Sequence, residues 1–276
     1  MNKFLSFLFV CTSFLIMGQG KLLTETKLIH NHSTGSLKKN KMDFRINHQF
    51  GDIGGDFGGV HTLYGMDQSS DVFIGFDYGV SDTWMIGFGR TKGGESRLGN
   101  LQGFVKGLIW KNKKMKFTAL SEISFTTMQS QSAVESINNF DNTSARGTFL
   151  NQVIWSAVLS QKFGVLVAPF YLHRNRVYEL DQNGLIGASI GVQYRLSEWW
   201  MVNWESIVTQ EHILQGGLAK PVHSLGFEMN SGGHKFIMHF SNAQSVGTIN
   251  AAPYNLKEIG KGEFRFGFTI SRTFTL

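Results

Sequence analysis

The chain has 276 residues, a length that suits one large all-β domain or two smaller ones. Charged residues make up only 17% of it, against about 25% in an average soluble domain, whereas aromatic residues reach 13%. The formal net charge of +6 is modest, and the sequence has no dense basic run that would suit a phosphate backbone, so we expect no nucleic-acid partner. Many rings and few charges favour strands that place one face against something apolar.

Residues 1–20 are predicted to be a signal peptide. A positively charged start precedes a short apolar run at 4–17, and small residues follow near a cleavage site between Gly18 and Lys21. The run is shorter than the roughly 20 residues that a membrane-spanning helix needs. The only cysteine, Cys11, lies inside this run. The mature chain is therefore expected to have no thiol for a disulfide, a zinc site or a nucleophile.

Beyond this segment, apolar and polar residues alternate along most of the chain. No stretch approaches about 18 uninterrupted apolar residues, so no helical crossing of a membrane is predicted. Period-two alternation places apolar side chains on one face of a strand and polar side chains on the other. Residues 101–111 are ambiguous, because both parities carry large apolar side chains. The predicted strands lie in 42–47, 71–80, 84–92, 101–111, 115–125, 149–159, 165–173, 186–196, 200–205, 222–230, 235–240 and 264–276.

The last predicted strand, 264–276, indicates what the apolar faces meet. Phenylalanine, isoleucine and leucine occupy nearly all of its even-numbered positions, whereas its odd-numbered positions are small or polar. Such a face would promote aggregation in water but is stable against lipid tails, so outer-membrane lipid is an expected partner. Phe274 and Leu276 resemble the terminal signal that the barrel-assembly machinery reads during biogenesis. Arg272 has the lipid-facing parity and is expected near the periplasmic interface.

The connections between the predicted strands alternate between short and long. Tight turns such as 81–83 and 231–233 are followed by long polar or glycine-rich links such as 51–70 and 241–262. We therefore predict an all-β fold, a single transmembrane antiparallel β-barrel of about 12 strands over 42–276, with short periplasmic turns and longer extracellular loops in the outer membrane. Residues 21–41 would be a periplasmic segment or one tucked into the lumen. The alternative fold is a soluble β-sandwich whose apolar faces meet in an inner core.

Seven segments, spread in order over nearly the whole mature chain, carry a family resemblance: LIHNHS (28–33), MDFRINHQFG (42–51), YGMDQ (64–68), FDYGVSD (76–82), LHRN (172–175), SGGHKFIMHFSN (231–242) and FRFGFTISRTF (264–274). They resemble an uncharacterised β-barrel family of Bacteroidota outer membranes, known only as a domain of unknown function. The resemblance implies a barrel and an outer-membrane location. It implies no substrate, because that family has no assigned activity.

One constellation suggests catalysis. The segment His239-Phe240-Ser241-Asn242 resembles the His-x-Ser-Asn segment of the outer-membrane phospholipase, itself a twelve-stranded barrel. His239 would take a proton from Ser241, and residues two apart on a strand do share a face. However, the alternation directs both side chains into the lumen, whereas a phospholipase needs a nucleophile that is open to lipid. A lipid hydrolase that uses His239 and Ser241 is therefore only the alternative function.

Two further motifs predict no site. His30 and His32 could approach a metal, but no cysteine or carboxylate joins them at a recognisable spacing. The segment GDIGGDFGG (51–59) lacks the pattern of a phosphate loop or a calcium loop and is expected to be an outer loop. No metal and no cofactor are predicted.

The remaining candidate residues are the charged and polar side chains whose parity directs them into the lumen. Both signs occur, so these side chains either brace the interior or line a narrow pore. Arg45 on the first strand and Arg265 on the last are expected to become neighbours across the closing seam, with Asp43 nearby. The predicted lumen-lining residues are Asp43, Arg45, Asp71, Asp77, Lys116, Glu122, Arg195, Glu205, Lys235, His239 and Arg265.

These observations predict a barrel without catalytic activity. It would be a narrow channel for small polar solutes or a structural component of an envelope complex, in which case envelope proteins are its partners. A barrel of eight strands is filled by side chains and one of sixteen to eighteen leaves a channel, so twelve strands leave the state of the lumen open.

Overall fold

Twelve antiparallel strands close into a barrel in the computed structural model, which describes residues 22–94, 97–133 and 136–276. Each strand pairs with its neighbours in chain order, and the ring closes between the first strand and the last. The predicted fold class and strand number are thereby confirmed, and a β-sandwich is excluded. The predicted signal peptide lies outside the described residues.

The barrel strands are mostly ten to twelve residues long, a length that suits a tilted crossing of a bilayer. A two-stranded hairpin and a few short helices lie in the connections. None of the helices among the described residues is long and apolar enough to cross a membrane. The barrel strands are β1 (Lys41–Asp52), β2 (Ser69–Gly79), β3 (Trp84–Thr91), β4 (Asn100–Lys111), β5 (Met115–Thr126), β6 (Gly147–Val158), β7 (Phe163–Arg174), β8 (Gly184–Arg195), β9 (Trp200–Thr209), β12 (Val222–Asn230), β13 (His234–Ser241) and β14 (Arg265–Thr275); the hairpin is β10 (Ile213–Leu214) and β11 (Gly217–Leu218); the helices are α1 (Thr248–Ala251) and the 3-10 turns Val60–Thr62, Thr143–Arg146 and Ile259–Lys261.

Burial alternates along the strands as the sequence pattern predicts. In β13, Ile237 and His239 are buried inside, whereas Met238 and Phe240 are exposed on the outside. Since successive side chains of a strand point to opposite faces, one face of the whole sheet lines the lumen and the other forms an apolar outer surface. Arg272 lies on that outer surface, and its guanidinium is 5.1 Å from the centre of the Phe274 ring.

The ambiguous strand β4 directs Phe104 and Lys106 into the lumen and exposes Val105 outside. A register shift between Leu108 and Trp110 then changes the parity near the end of the strand, so that Trp110 is also exposed. This β-bulge explains why both parities of the stretch carry large apolar side chains.

The connections alternate in length as predicted. Five of them, at 80–83, 112–114, 159–162, 196–199 and 231–233, are short turns at one end of the barrel, which we call the short-turn end. The other six, at 53–68, 92–99, 127–146, 175–183, 210–221 and 242–264, are longer and lie at the opposite, long-loop end. In outer-membrane barrels the short turns are periplasmic and the long loops extracellular.

Two segments of the chain fill the lumen. Residues 22–37, here called the plug, precede β1; most of them are buried, and the rest are half-buried. Residues 243–256, here called the inserted loop, belong to the last long connection, contain α1 and are also buried. Leucines of the plug join one apolar cluster with the inner wall, and Ala243 and Ile249 of the inserted loop join a second.

Candidate functional site: the filled lumen

The structure places nine of the eleven predicted lumen residues in the interior with at most 5% exposure. The other two, Lys116 and Arg195, lie near the short-turn ends of β5 and β8 and are half-buried. The interior therefore collects acidic and basic side chains from most of the wall. The nine buried residues are Asp43, Arg45, Asp71, Asp77, Glu122, Glu205, Lys235, His239 and Arg265.

The prediction that Arg45 and Arg265 are neighbours at the seam is wrong. Because β1 and β14 are antiparallel, Arg45 lies opposite Ser271, near the short-turn end, whereas Arg265 lies opposite Asp52, near the long-loop end. Arg45 instead forms an ion pair with Asp43 of its own strand at 3.2 Å, and Arg265 pairs with Asp52 at 2.7 Å. The seam is thus braced at both ends by separate ion pairs.

The plug makes a tight turn that a wall carboxylate binds through the backbone. Lys27 and His32 form an isolated antiparallel bridge, and the Leu28 amide donates to the Asn31 carbonyl at 2.9 Å. The amides of Ile29 and His30 donate to the carboxylate of Glu205 at 2.8 and 2.9 Å, and the Asn31 amide follows at 3.4 Å. Glu205 is fully buried. One carboxylate therefore satisfies three successive backbone donors that would otherwise be buried without a partner.

Two wall ammonium groups bind the carbonyl oxygens of the same turn. Lys106 donates to the carbonyls of Thr26 and Ser33 at 3.0 and 3.1 Å, so it joins the two arms of the turn. Lys235 donates to the carbonyl of Lys27 at 3.1 Å. The wall thus binds the plug largely through main-chain groups, with negative charge toward amides and positive charge toward carbonyls.

His30 of the plug, rather than His239, is the histidine that contacts Ser241. The His30 Nε2 atom lies 3.1 Å from the Ser241 hydroxyl, which also accepts hydrogen bonds from Ser224 and from the amide of Ala243. His239 is fully buried, and neither of its ring nitrogens has a hydrogen-bond partner within the described part of the chain. Burial lowers the pKa of His30 to about 4, so the ring is neutral at ordinary pH. The geometry that the hydrolase alternative requires is therefore not present.

His32, on the other arm of the turn, lies against the opposite part of the wall. Its Nε2 atom is 3.5 Å from a carboxylate oxygen of Glu122, and its ring packs edge-on against Phe104. Burial, aided by the nearby positive charge of Lys27, Lys106 and Arg45, holds the pKa of His32 well below its ordinary value. His32 is thus a neutral group at the boundary between plug and wall.

The inserted loop reaches into the lumen from the long-loop end and meets the plug. Ile249 and Ala251 of α1 pack against inward-facing aliphatic and aromatic side chains of the wall. The amide of Val246 donates to Asp71 at 2.8 Å, and Ser124 donates to Asn250 at 3.1 Å.

The two fillings are joined directly. The Thr248 hydroxyl donates to the Asn31 side-chain oxygen at 2.8 Å, so the tip of the plug touches α1. The lumen is therefore occupied from both ends, with the contact between Asn31 and Thr248 inside it.

The long-loop mouth contains a polar cavity of about 240 Å³. The predicted outer loop 51–59 forms part of it: Asp52 pairs there with Arg265, and also with Lys257 at 3.4 Å. These ion pairs connect β1, β14 and the last long connection. Among the described residues, no group of three or more histidine, cysteine or acidic side chains converges as a metal site would require.

Sequence reasoning missed several residues of this site. Lys106 lies on the strand whose apolar face was ambiguous, although its parity matches that of Asn100 and Gln102, which also point inward. These polar residues at alternate positions are the signal that could have predicted the position of Lys106 in the lumen. Gln193, whose side chain accepts the Leu23 amide at 2.7 Å, gives no comparable signal, because an uncharged side chain inside a barrel is ordinary.

Comparison with known proteins identifies one matching family and solved structures of β-barrels with a similar fold. The family model described as Membrane bound beta barrel domain (DUF5777) matches residues 24–274. Solved structures of other barrels share the fold, and two of them are NanC porin and KdgM porin. NanC porin is 8% identical with a TM-score of 0.51, over 85% of this chain and 100% of that one. KdgM porin is 6% identical with a TM-score of 0.51, over 85% and 99%. No curated protein matches the sequence.

These matches confirm the predicted kind of family, a membrane barrel without assigned activity, and the predicted outer-membrane location. The bacterial group of origin stays a prediction. At such low identities the likeness to the two porins shows the fold alone.

Proposed function

Because the chain belongs to the family described as Membrane bound beta barrel domain (DUF5777), we propose that it is a non-catalytic outer-membrane channel for small polar solutes, held closed by its plug. The observation that carries this proposal is the charge of the wall beneath the plug. Glu205, Lys106 and Lys235 are buried there, and each is directed at the plug backbone.

A permanent filling would not need such a wall. Replacing buried ion pairs by well-packed apolar residues is often neutral or stabilising, so buried charges are poor evidence for a role in stability alone. When the plug leaves, the same charged groups would face water and line a polar passage. Groups of this kind suit a wall that alternates between contact with a peptide and contact with water.

The size of the barrel supports small solutes. Eight strands are filled by side chains and sixteen to eighteen leave a wide channel, so twelve strands without the plug would leave a narrow one. The inserted loop is joined to the wall at both of its ends, by β13 and β14, and would narrow the passage further at the long-loop end.

The second candidate function is a structural component of an envelope complex. It is favoured by the filling of the lumen from both ends and by the contact between Asn31 and Thr248. In that case the plug would never leave, and envelope proteins would bind the loops or the outer surface.

A reversible lock on the plug separates the two functions. Thr34 of the plug and Ser156 of β6 share a side-chain hydrogen bond, so cysteines at both positions would lie close enough for a disulfide. The mature chain is expected to have no other cysteine. In planar bilayers, the oxidised T34C/S156C variant is expected to carry no ionic current, and a reductant is expected to restore the channel openings of the parent.

The control is N47C/T269C, which joins β1 to β14 inside the lumen without involving the plug, since Asn47 and Thr269 are register partners that bond at 2.9 Å. Its current should not depend on reductant. Equal current in the oxidised and reduced states of T34C/S156C would overturn the role of the plug. If neither the reduced variant nor the parent carries current, the channel function is wrong, and the structural function is the one that remains.

A further inference from the structure

The lipid-facing surface of the barrel has a groove near the middle of strands β4 to β8. Its volume is about 730 Å³. We call it the outer groove and define it by six of its lining residues: Val105, Ala119, Ser121, Asn151, Pro169 and Ile186. They belong to five consecutive strands of the ring.

A polar pair lies in the outer groove. The Ser121 hydroxyl donates to the side-chain oxygen of Asn151 at 3.0 Å, and both side chains are exposed on the outer face. Ser121 is the seventh of twelve residues of β5, and Asn151 is the fifth of twelve residues of β6, so the pair lies close to mid-height. The amide nitrogen of Asn151 brings two further donors to this surface. Hydrocarbon offers them no acceptor, so lipid is an unfavourable neighbour here.

The wall beside the pair is also irregular. Pro169 of β7 has no amide hydrogen, and the ladder between β6 and β7 is interrupted at Val153 and Ile154, between the pairs Gln152–Phe170 and Trp155–Val167. The register is the same on both sides of the interruption, so the proline removes ladder bonds without forming a bulge. Irregular backbone within a membrane is tolerated where protein covers it.

Within the described strands, the opposite side of the barrel has neither an exposed polar pair nor a proline at the same height. There, β13 and β14 present Met238, Phe268 and Ile270 to lipid. Another outward polar side chain at this depth, His48 of β1, lies with its ring stacked on Phe268 at 5.5 Å and is half-buried. The exposed pair of Ser121 and Asn151 therefore distinguishes this sector of the ring from the opposite one.

We propose that the outer groove binds the same groove of a second copy of the chain, in a two-fold dimer within the membrane. The carboxamide of Asn151 is both a donor and an acceptor, so it is complementary to its own copy across a two-fold axis. Neighbouring copies in a membrane share one orientation, so such an axis would run along the membrane normal. This pairing gives one of the two amide hydrogens of each Asn151 an acceptor that lipid does not supply.

The shape of the surface agrees with self-association. Ile186, on the rim of the outer groove, is 65% exposed and is among the most exposed aliphatic side chains of the wall. Each copy thus provides both a concave surface and an apolar side chain that can occupy the concavity of the other. This inference concerns the outer face and does not rest on the proposed function of the lumen.

The test is cysteine crosslinking in intact outer membranes with the full-length protein. Residues near a two-fold axis lie close to their own copies, and Ser121 lies beside Asn151 in the outer groove. S121C keeps the Asn151 carboxamide and is therefore expected to form a disulfide-linked dimer on mild oxidation. I270C is the matched control, because Ile270 lies near mid-height on β14, across the ring from β6, and is also exposed. It is expected to stay monomeric.

A second variant tests the groove itself. A119W places a large apolar ring in the outer groove and is expected to abolish the S121C crosslink. Equal crosslinking of S121C and I270C would show random collision and overturn the proposal, as would an S121C crosslink that persists in A119W. A crosslink of S121C to a different envelope protein would show that the occupant is not a second copy.

Discussion

The plug and the inserted loop fill the same lumen but are held in different ways. Charged wall groups bind the backbone of the plug's central turn: Glu205 binds its amides, and Lys106 and Lys235 bind its carbonyls. The centre of the inserted loop, α1, is held mainly by apolar packing of Ile249 and Ala251, and its charged contacts lie toward its ends.

This difference between charged contacts and apolar packing indicates which of the two segments can leave the lumen. Hydrogen bonds to charged groups can be exchanged for hydrogen bonds to water, so their net contribution is modest once both partners are hydrated. Apolar packing has no such replacement in water. Among the described residues, the plug is continuous with one wall strand, β1, whereas the inserted loop is continuous with two, β13 and β14. We therefore expect the plug to be the mobile filling and the inserted loop to be a fixed constriction.

The largest expected effect is that of removing the Glu205 carboxylate. In E205A, the amides of residues 29–31 lose their acceptor inside a buried site, and Lys235 loses a nearby negative charge. A buried donor left without an acceptor costs about 1–3 kcal/mol, so the loss at these three amides is expected to weaken docking of the plug by about 3–5 kcal/mol. The measurements are hydrogen exchange of these three amides, which should accelerate, and current in planar bilayers, which should rise.

The control for this change is D71A on β2. Asp71 is also fully buried, but its carboxylate accepts the backbone amides of Gly93 and of Val246 in the inserted loop rather than those of the plug. The amides of residues 29–31 should stay protected in D71A. Similar loss of protection in both variants would mean that the plug responds to general loosening of the wall, and the contrast between the two fillings would fail.

A smaller effect is expected from the inserted loop. Ile249 is fully buried in the second apolar cluster, and I249A should destabilise the folded barrel by about 3 kcal/mol, a typical cost for truncating a buried aliphatic side chain. Urea-induced unfolding in lipid vesicles measures this change. Exchange of the plug amides should not rise in parallel. I259A, at an exposed isoleucine of the same connection, should change stability by less than about 0.5 kcal/mol.

The barrel could be predicted from the sequence because its signal is repeated in every strand. Alternation such as that of Phe236, Met238 and Phe240 is local, and the connections of alternating length set the topology. The one ambiguous stretch, 101–111, contains a β-bulge, which local periodicity does not encode. The error about Arg45 and Arg265 came from the register of the seam, which depends on how the two ends of the ring meet.

The candidate site was predictable only in part, because it is formed by a segment without periodic pattern. Parity placed Glu205 and Lys235 in the lumen, but nothing in LIHNHS (28–33) indicates that its backbone binds them. The contact of Ser241 with His30 joins residues 211 positions apart, whereas sequence spacing pointed to His239. Main-chain recognition of this kind leaves no residue-type signature in the binding segment.

The smallest of the three effects is a dependence of plug docking on pH. An undocked His30 has the ordinary pKa near 6.5, whereas burial lowers the pKa of the docked residue to about 4. Above pH 6.5 both states are neutral, so docking does not depend on pH. Below it the undocked state binds a proton that the docked state does not, and docking weakens until the pH falls to about 4. At pH 5 the loss for this group is about 2 kcal/mol.

The pKa of His32 is lowered in the same direction, so both histidines should favour release of the plug in acid. The inserted loop contains no histidine, and its packing should be less sensitive over the same range. Hydrogen exchange of the amides of 29–31, compared between pH 7.5 and pH 5 after correction for intrinsic exchange rates, measures the effect. H30Q removes one of the two titrations and should reduce the pH dependence. An unchanged pH dependence in H30Q would show that His30 is already protonated, or exposed, when the plug is docked.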